Sequence, residues 1–222
     1  MSRYDRILEL STFSKEKLEI LNNTKVIVIG AGGVGQHVLT YLITNGIKEI
    51  TLVDFDKVEL SNLNRQILLT EDSIGLPKVE VVKNALKQRN HDSKIAAKNL
   101  KVDALNIDKL IEGFDVVVDA VDNWETKLVI FNAKRGSKQL FLHVGVDGES
   151  GQYCVFKNKS LLDIVDINIK NSPKDGVLGP MVGAVSSLAT LHLIRCLTND
   201  SDEVDTLFSF DSKTNKITKI NL

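Results

Sequence analysis

The run Lys25-Val-Ile-Val-Ile-Gly30-Ala-Gly32-Gly33-Val-Gly35 reads as a buried strand, a glycine-rich turn and the start of a helix. This is local machinery for holding a nucleotide phosphate. One glycine lets the chain turn sharply off the strand, and another lets the backbone approach an anion with no Cβ in the way. The N–H groups left unpaired at the helix start point at that anion, and the helix dipole reinforces them. Asp54 follows 19 residues after Gly35, at the end of the apolar run Ile50-Thr-Leu-Val53, where a carboxylate can accept both ribose hydroxyls. A corner with glycines kept only for packing would leave Asp54 without a role. Strand, turn, helix and distal acid together make nucleotide binding the expectation.

Just beyond lie Asp54-Phe-Asp56 and Ser61-Asn62-Leu-Asn64-Arg65-Gln66, which an ordinary dinucleotide-binding protein lacks. A fixed cation beside a nucleotide points to chemistry at a phosphate rather than to hydride transfer. Lys78 opens the next helix after Ile74-Gly75-Leu-Pro77, and Val118-Asp119-Ala-Val-Asp122-Asn123 ends a buried strand. An acid there sits over the phosphate pocket and can hold Mg²⁺ directly or through water. Transfer of AMP to a carboxylate needs no general base, because the nucleophile is already ionised. Its difficulty is charge, which Arg, Lys, Mg²⁺ and helix N–H groups relieve. Plainer readings stand beside these. Pro77-Lys78 also reads as an ordinary helix start, although a cation is unfavourable at the positive end of a dipole. Asp122-Asn123 also reads as a helix cap.

The chain has 222 residues and a net charge of −1, with pI near 6.4, so composition gives no electrostatic footprint for nucleic acid. Two cysteines, Cys154 and Cys196, make neither a disulfide framework nor a zinc pattern. The N-terminus lacks an apolar signal core, and no apolar run is read as approaching a membrane span. A cytoplasmic globular protein of one domain, residues 1–222, is expected.

Apolar, β-branched runs at 26–29, 50–53, 94–102, 116–120 and 140–146 predict strands, and helical patterns fall at 34–45, 78–89, 105–112 and 123–138. This alternation predicts an α/β, Rossmann-like, mostly parallel twisted sheet with helices on both faces. Runs at 152–156, 206–210 and 216–220 predict antiparallel C-terminal strands, the last two forming a hairpin within 205–222. Residues 1–22 are expected as an N-terminal helical segment. The stretch 158–176 is expected as a crossing loop of the kind used for lids or partner binding. The segment from Gly179 to Leu197 is apolar on nearly every side and predicts a helix buried in the core or against another subunit.

The chain resembles the ThiF/MoeB/HesA-type activating enzymes, which share a fold with the adenylation domain of ubiquitin-activating enzymes. The likeness runs from about Arg3 to about Cys196. It rests on Arg3-Tyr-Asp-Arg6, the glycine turn, Asp54-Phe-Asp56, Ser61-Asn-Leu-Asn-Arg65-Gln66, Ile74-Gly-Leu-Pro-Lys78, Asp122-Asn123, Gly151-Gln152 and Gly176-Val-Leu-Gly-Pro180. The resemblance implies that Asp54 binds ribose, that Asn62, Arg65 and Lys78 grip the triphosphate and transition state, and that Asp122 coordinates Mg²⁺. Gly30, Gly32, Gly33, Gly35, Asp56, Gln66 and Asn123 complete the expected ATP-binding set. Arg6 would reach into the partner subunit of a homodimer. Family members adenylate the C-terminal carboxylate, usually of a Gly-Gly tail, on a small ubiquitin-like or sulfur carrier protein, with pyrophosphate leaving. Others modify a peptide or a tRNA base.

Two departures from the family matter. The paired Cys-x-x-Cys zinc site is missing, so no zinc is expected. Where many members place a cysteine for a thioester or persulfide, this chain has Asn171-Ser172-Pro-Lys-Asp175, with Ser172 nearest that position. Cys154 and Cys196 read as small buried hydrophobes, so chemistry is expected to stop at the acyl-adenylate. A nicotinamide-dependent oxidoreductase would give Arg65 and Lys78 no task, and a nucleotide-binding scaffold without turnover is a third reading. His37 lies in the first turn of the phosphate helix and His143 in a buried strand that can face the cleft; His91 and His192 stand apart. Trp124 reads as packing or as a border to a substrate tail.

Overall fold

The computed structural model describes residues 2–134, 136, 138–164 and 176–222. Its frame is an eight-stranded sheet of order β3-β2-β1-β4-β5-β6-β7-β8. Strands β1 (Lys25–Ile29), β2 (Glu49–Asp54), β3 (Lys94–Asn99), β4 (Val116–Asp119) and β5 (Leu140–Asp147) run parallel. β6 (Ser150–Phe156), β7 (Thr206–Asp211) and β8 (Lys216–Asn221) continue the sheet antiparallel. The expected sheet, parallel core and antiparallel extension are all present.

Because strand side chains alternate, β1 sends Val26 and Val28 into one core and Ile27 and Ile29 into the other. Both faces of the central parallel strands are thus dry, and β1, β2, β4 and β5 read as largely apolar runs for that reason, while the edge strand β3 buries only Ile95. Helices α3 (Gly33–Thr44), α4 (Lys78–Arg89) and α7 (Gly179–Leu197) contribute to the first core, while α5 (Ile107–Ile111) and α6 (Trp124–Asn132) cover the second. The N-terminal segment forms two helices, α1 (Asp5–Leu8) and α2 (Lys15–Asn23), the second capped by the Ser14 hydroxyl.

Several boundaries differ from expectation because hydrogen bonds, tertiary at the end of α6 and local at the start of α5, intervene. α6 stops at Asn132 instead of reaching residue 138: the Lys134 N–H donates to Asp108 Oδ1, and Gln139 Nε2 donates to the carbonyls of Ile111 and Phe114. β3 ends at Asn99 because its partner β2 ends at Asp54. α5 starts at Ile107, since the Asp103 side chain accepts the N–H groups of Leu105 and Asn106 and holds them in a turn. Of the expected crossing loop, Leu161–Asp163 is a short 3₁₀ turn, and residues 165–175, including Ser172, lie outside the described residues.

α7 corrects the reading that no apolar run approaches a membrane span, because its 19 residues are long and apolar enough to cross one by length and composition. Its neighbours show another use. It packs on α3, β5 and β6, burying Met181, Val182, Val185, Ala189 and Leu193. Gly151 of β6 permits that approach, since a Cβ there would lie 2.4 Å from Val185 Cγ2.

Candidate nucleotide site

The strand order reverses between β1 and β4, and ligands of such sheets bind at the carboxyl ends of the strands flanking that point. A cleft of about 1120 Å³ opens there. The glycine turn forms its floor. Gly30 has φ +106°, and a Cβ on it would lie 2.5 Å from the Ala120 carbonyl oxygen of the neighbouring strand, so only glycine fits. Gly32 caps α3 and faces open space, its nearest neighbour being Gln66 Nε2 at 3.9 Å. Gly35 does not line the cleft. It is a packing residue, because a Cβ there would sit 2.0 Å from the Gly30 carbonyl.

Asp54 ends β2 beside this turn. Its Oδ2 accepts the Ala31 N–H at 2.6 Å and its Oδ1 the Asp56 N–H at 2.8 Å. Each oxygen keeps a further lone pair, which suits two hydroxyls. Gln36, fully buried in α3, ties the turn to the segment carrying Arg65. Its Nε2 donates to the Ala31 carbonyl and its Oε1 accepts the Leu68 N–H, both at 2.8 Å. Nothing in the local sequence marks this strut.

Gly30, Gly32, Gly33, Asp54, Asp56, Asn62, Arg65, Gln66, Lys78, Asp122 and Asn123 all line the cleft. Arg65 donates through Nη1 alone, to the Ser61 carbonyl at 3.0 Å and Asn64 Oδ1 at 2.8 Å. Its Nη2 and Nε have no partner among the described residues, so a fork of donors remains for an anion. Lys78, nearly buried, reaches Asp56 Oδ2 at 2.9 Å. Asn62 caps a 3₁₀ turn by accepting the Glu59 N–H, and Asn123 Oδ1 accepts the Thr126 N–H at the start of α6. The capping reading of Asn123 therefore holds, whatever further contact it makes. Arg6 stands outside this cleft, its side chain 91% exposed and paired with Glu9.

At the back wall of the same cleft, lined by Lys127, His143 and Gln152 with Asp119 beneath, lies a constellation that the sequence reading missed. Lys127 of α6 donates to both oxygens of Asp119, at 3.0 and 2.8 Å, and His143 Nδ1 meets Asp119 Oδ2 at 2.8 Å. Gln152 Nε2 then approaches His143 Nε2 at 3.3 Å. Burial pushes the Asp119 carboxyl up, but the Lys127 charge and the His143 hydrogen bond outweigh it and hold the group below its ordinary value. Burial and the Lys127 charge hold His143 low, against the opposing pull of Asp119. The result is an ionised acid and a neutral imidazole. Asp119 and Gln152 fall within motifs visible in the sequence; Lys127 carries no local signal, since its partner lies on another element.

The remaining candidates lie elsewhere. His37 bonds the Gly33 carbonyl at 2.8 Å and packs against Gly183 of α7. Neither cysteine lines the cleft. Burial pushes the Cys154 thiol up, and that of Cys196 to about 11, so both are thiols near neutral pH.

The architecture is that of a doubly wound, Rossmann-like α/β protein with its cleft at the topological switch point. The chain belongs to the ThiF family, whose sequence pattern matches residues 4–222. It is 31% identical over 210 residues to the molybdopterin-synthase adenylyltransferase of Escherichia coli K12, across 89% of this chain and 82% of that protein. Against the adenylyltransferase and sulfurtransferase MOCS3 of Aedes aegypti it is 32% identical over 213 residues, 90% of this chain. It spans about half the length of that relative, 48%. Among solved structures, Escherichia coli MccB is similar at a TM-score of 0.87 and 23% identity, over 99% of this chain and 69% of that one. The same protein solved with ATP gives 0.83 at 24% identity, over 92% of this chain and 65% of that one. At these identities the likeness concerns the fold.

Proposed function

We propose that the protein is an adenylyltransferase that uses ATP and Mg²⁺ to activate the C-terminal carboxylate of a small ubiquitin-like or sulfur carrier protein, forming an acyl-adenylate and releasing pyrophosphate. The supporting observation is the convergence of Asp54, Arg65, Lys78 and Asp122 on one cleft beside the glycine turn. Membership of the ThiF family and the relatives named molybdopterin-synthase adenylyltransferase favour the same reading.

Asp54 would accept the ribose hydroxyls, and the N–H groups at the start of α3 would face the phosphates. Asn62, Arg65 and Lys78 would draw charge off the triphosphate as the carboxylate approaches the α-phosphorus. Lys78 starts from an ion pair with Asp56, which fixes its ammonium at the cleft wall until phosphate competes for it. Gln66 and Asn123 border the same space. Asp122 would hold Mg²⁺. Among the described residues no group of three or more His, Cys, Asp or Glu side chains gathers as a metal cage. A cation carried on a nucleotide needs only one or two carboxylates besides the phosphates, so a single acid fits. When bound, the ion would neutralise charge on the reacting phosphate.

The exposed Arg6 suits a residue that serves a neighbouring site, in a homodimer whose partner supplies it. We place the protein in the cytoplasm on the same reading. The experiment is pyrophosphate exchange into ATP, with and without a carrier protein ending in Gly-Gly. Carrier-dependent exchange is expected. No exchange, together with tight NADH binding, would overturn the reading in favour of an oxidoreductase.

A further inference from the structure

Gln152 lines the cleft, yet the handling of ATP gives it no task. It stands on β6 opposite Gly145 of β5, with its Nε2 on the His143 ring. The side chains behind it decide which end of its amide faces the cleft. An ionised Asp119 can only accept, so His143 Nδ1 carries the hydrogen. A neutral imidazole has a single N–H, which makes Nε2 an acceptor, and Gln152 must fill it with its NH₂ group. Lys127, bonded to both oxygens of Asp119, keeps that acid ionised and so holds the whole chain in one polarity. Gln152 Oε1 is thereby turned away from His143, and it has no partner among the described residues.

We propose that Gln152 Oε1, oriented by the Lys127–Asp119–His143 chain, accepts a backbone N–H from the last residues of an acceptor polypeptide and so directs its carboxylate toward the α-phosphate. Gln152 is the specificity contact and His143 its positioning residue. The carboxylate itself cannot be the partner, because two acceptors repel. An extended main chain offers N–H groups, and beside Gln152 the cleft is lined by the two glycines Gly145 and Gly151 of β5 and β6. Gly145 adds no side chain to that surface; a Cβ there would stand 3.4 Å from both Gln152 Cγ and His143 Nε2, in ordinary contact with them. The same chain would hold off an acceptor that offers only lone pairs at that point.

This inference rests on the acceptor being a polypeptide carboxylate, and the test separates the two. Pyrophosphate exchange is measured with a synthetic decapeptide ending in Gly-Gly and with copies N-methylated in turn at each of the last three residues. The intact protein should discriminate against one methylated copy by about five- to tenfold in kcat/KM, the worth of one hydrogen bond. Gln152→Met, nearly equal in size, should lose that discrimination and raise KM for the peptide while KM for ATP stays within about twofold. His143→Phe, which frees the amide to rotate, should lose it too, and the double variant should be no worse than either single one. Equal discrimination by the intact protein and Gln152→Met overturns the contact alone. Silence of the intact protein with every peptide and with a carrier protein ending in Gly-Gly overturns the acceptor reading and the contact with it. Silence with the peptides beside exchange with the carrier overturns the contact alone, since the tail then does not direct itself. Nitrogen NMR of labelled histidine gives a readout that needs no substrate. His143 should show a protonated Nδ1 and a bare Nε2 near pH 7.5, and the opposite tautomer would overturn the assigned orientation of Gln152.

Discussion

Asp119 and His143 are register partners on the neighbouring parallel strands β4 and β5, and their side chains meet at 2.8 Å in the dry interior. The strand pairing alone brings them together, and Lys127 then reaches across from α6 to close the group. Lys127 lies only eight positions from Asp119, in the first turn of the helix that follows the strand end, whereas His143 is 24 positions off. Removing one partner of such a group strands a charge without compensation. Asp119→Asn should therefore destabilise the protein by about 3 kcal/mol or more in urea unfolding. Adding Lys127→Met should recover much of that loss. A double variant no more stable than Asp119→Asn would show that the pair is not what fails.

The same group makes stability fall on acidification. The folded protein holds His143 below its ordinary value of 6.5, chiefly through burial, so below that pH the unfolded chain takes up a proton that the folded one refuses. Stability should decline from about pH 6.5 downward, by up to about 1.4 kcal/mol per pH unit from this residue. His192, also lowered by burial, acts in the same direction. Asp119, depressed below 3.8, contributes stability that is present above that value and is lost only as pH falls through its folded pKa. His143→Asn keeps a donor for Asp119 but cannot titrate. Its stability between pH 5 and 6.5 should slope less than that of the parent protein, by urea unfolding.

Two glycines of the turn should separate folding from binding. Gly35→Ala drives a methyl to 2.0 Å from the Gly30 carbonyl and should destabilise by more than about 2 kcal/mol. Gly32→Ala meets nothing closer than Gln66 Nε2 at 3.9 Å and should cost less than about 1 kcal/mol, yet it puts a methyl where phosphate would lie. Thermal unfolding and ATP titration on the two variants check the split. Weak ATP binding with an unchanged melting temperature is expected for Gly32→Ala alone.

Arg65→Ala and Asp122→Ala should each lower carrier-dependent exchange by about a hundredfold or more while leaving the fold intact. Both residues line the solvent-reached cleft instead of the packed core. Normal exchange in either variant would remove its assigned role.

Arg6 gives a test of the shared site. Arg6→Ala and Asp122→Ala chains, each inactive alone, should regain activity at up to about a quarter of dimer sites when mixed, if the arginine acts across the interface. Persistent inactivity after verified subunit exchange would confine Arg6 to its contact with Glu9.

Much of the fold was legible because its signals are local. β1, β2, β4 and most of β5 are apolar runs largely buried on both faces, so they stand out as such in the sequence, whereas the edge strand β3 buries only Ile95; the glycine turn is dictated by backbone sterics at Gly30. Element ends were less legible: Asp108 and Gln139 fix the end of α6 through contacts made elsewhere in the chain, and Asp103 delays the start of α5 through a local turn that competes with the helical pattern. The site divided in the same way. Asp54, Lys78 and Asp122 sit at or just beyond strand and helix ends that alternation alone places on one edge, Arg65 lies in the connection between β2 and α4, and the structure brings all four to one cleft. Gln36 and Lys127 were invisible, since a buried polar side chain on a helix declares its purpose only through the partner it meets.

By itself the sequence determined the strand-turn-helix at residues 25–44, the run of parallel strands and the edge of the sheet where chemistry gathers. Periodicity and glycine sterics act over a few residues and need nothing from the rest of the chain. Only the tertiary structure decided which polar groups would share the interior: that Asp119 is held below its ordinary value, that His143 is held low and meets Asp119 through Nδ1, and that Gln152 Nε2 comes to the other ring nitrogen. Protonation and amide orientation depend on burial and on charges brought near by strand register and helix packing, and those distances exist only once the chain has folded.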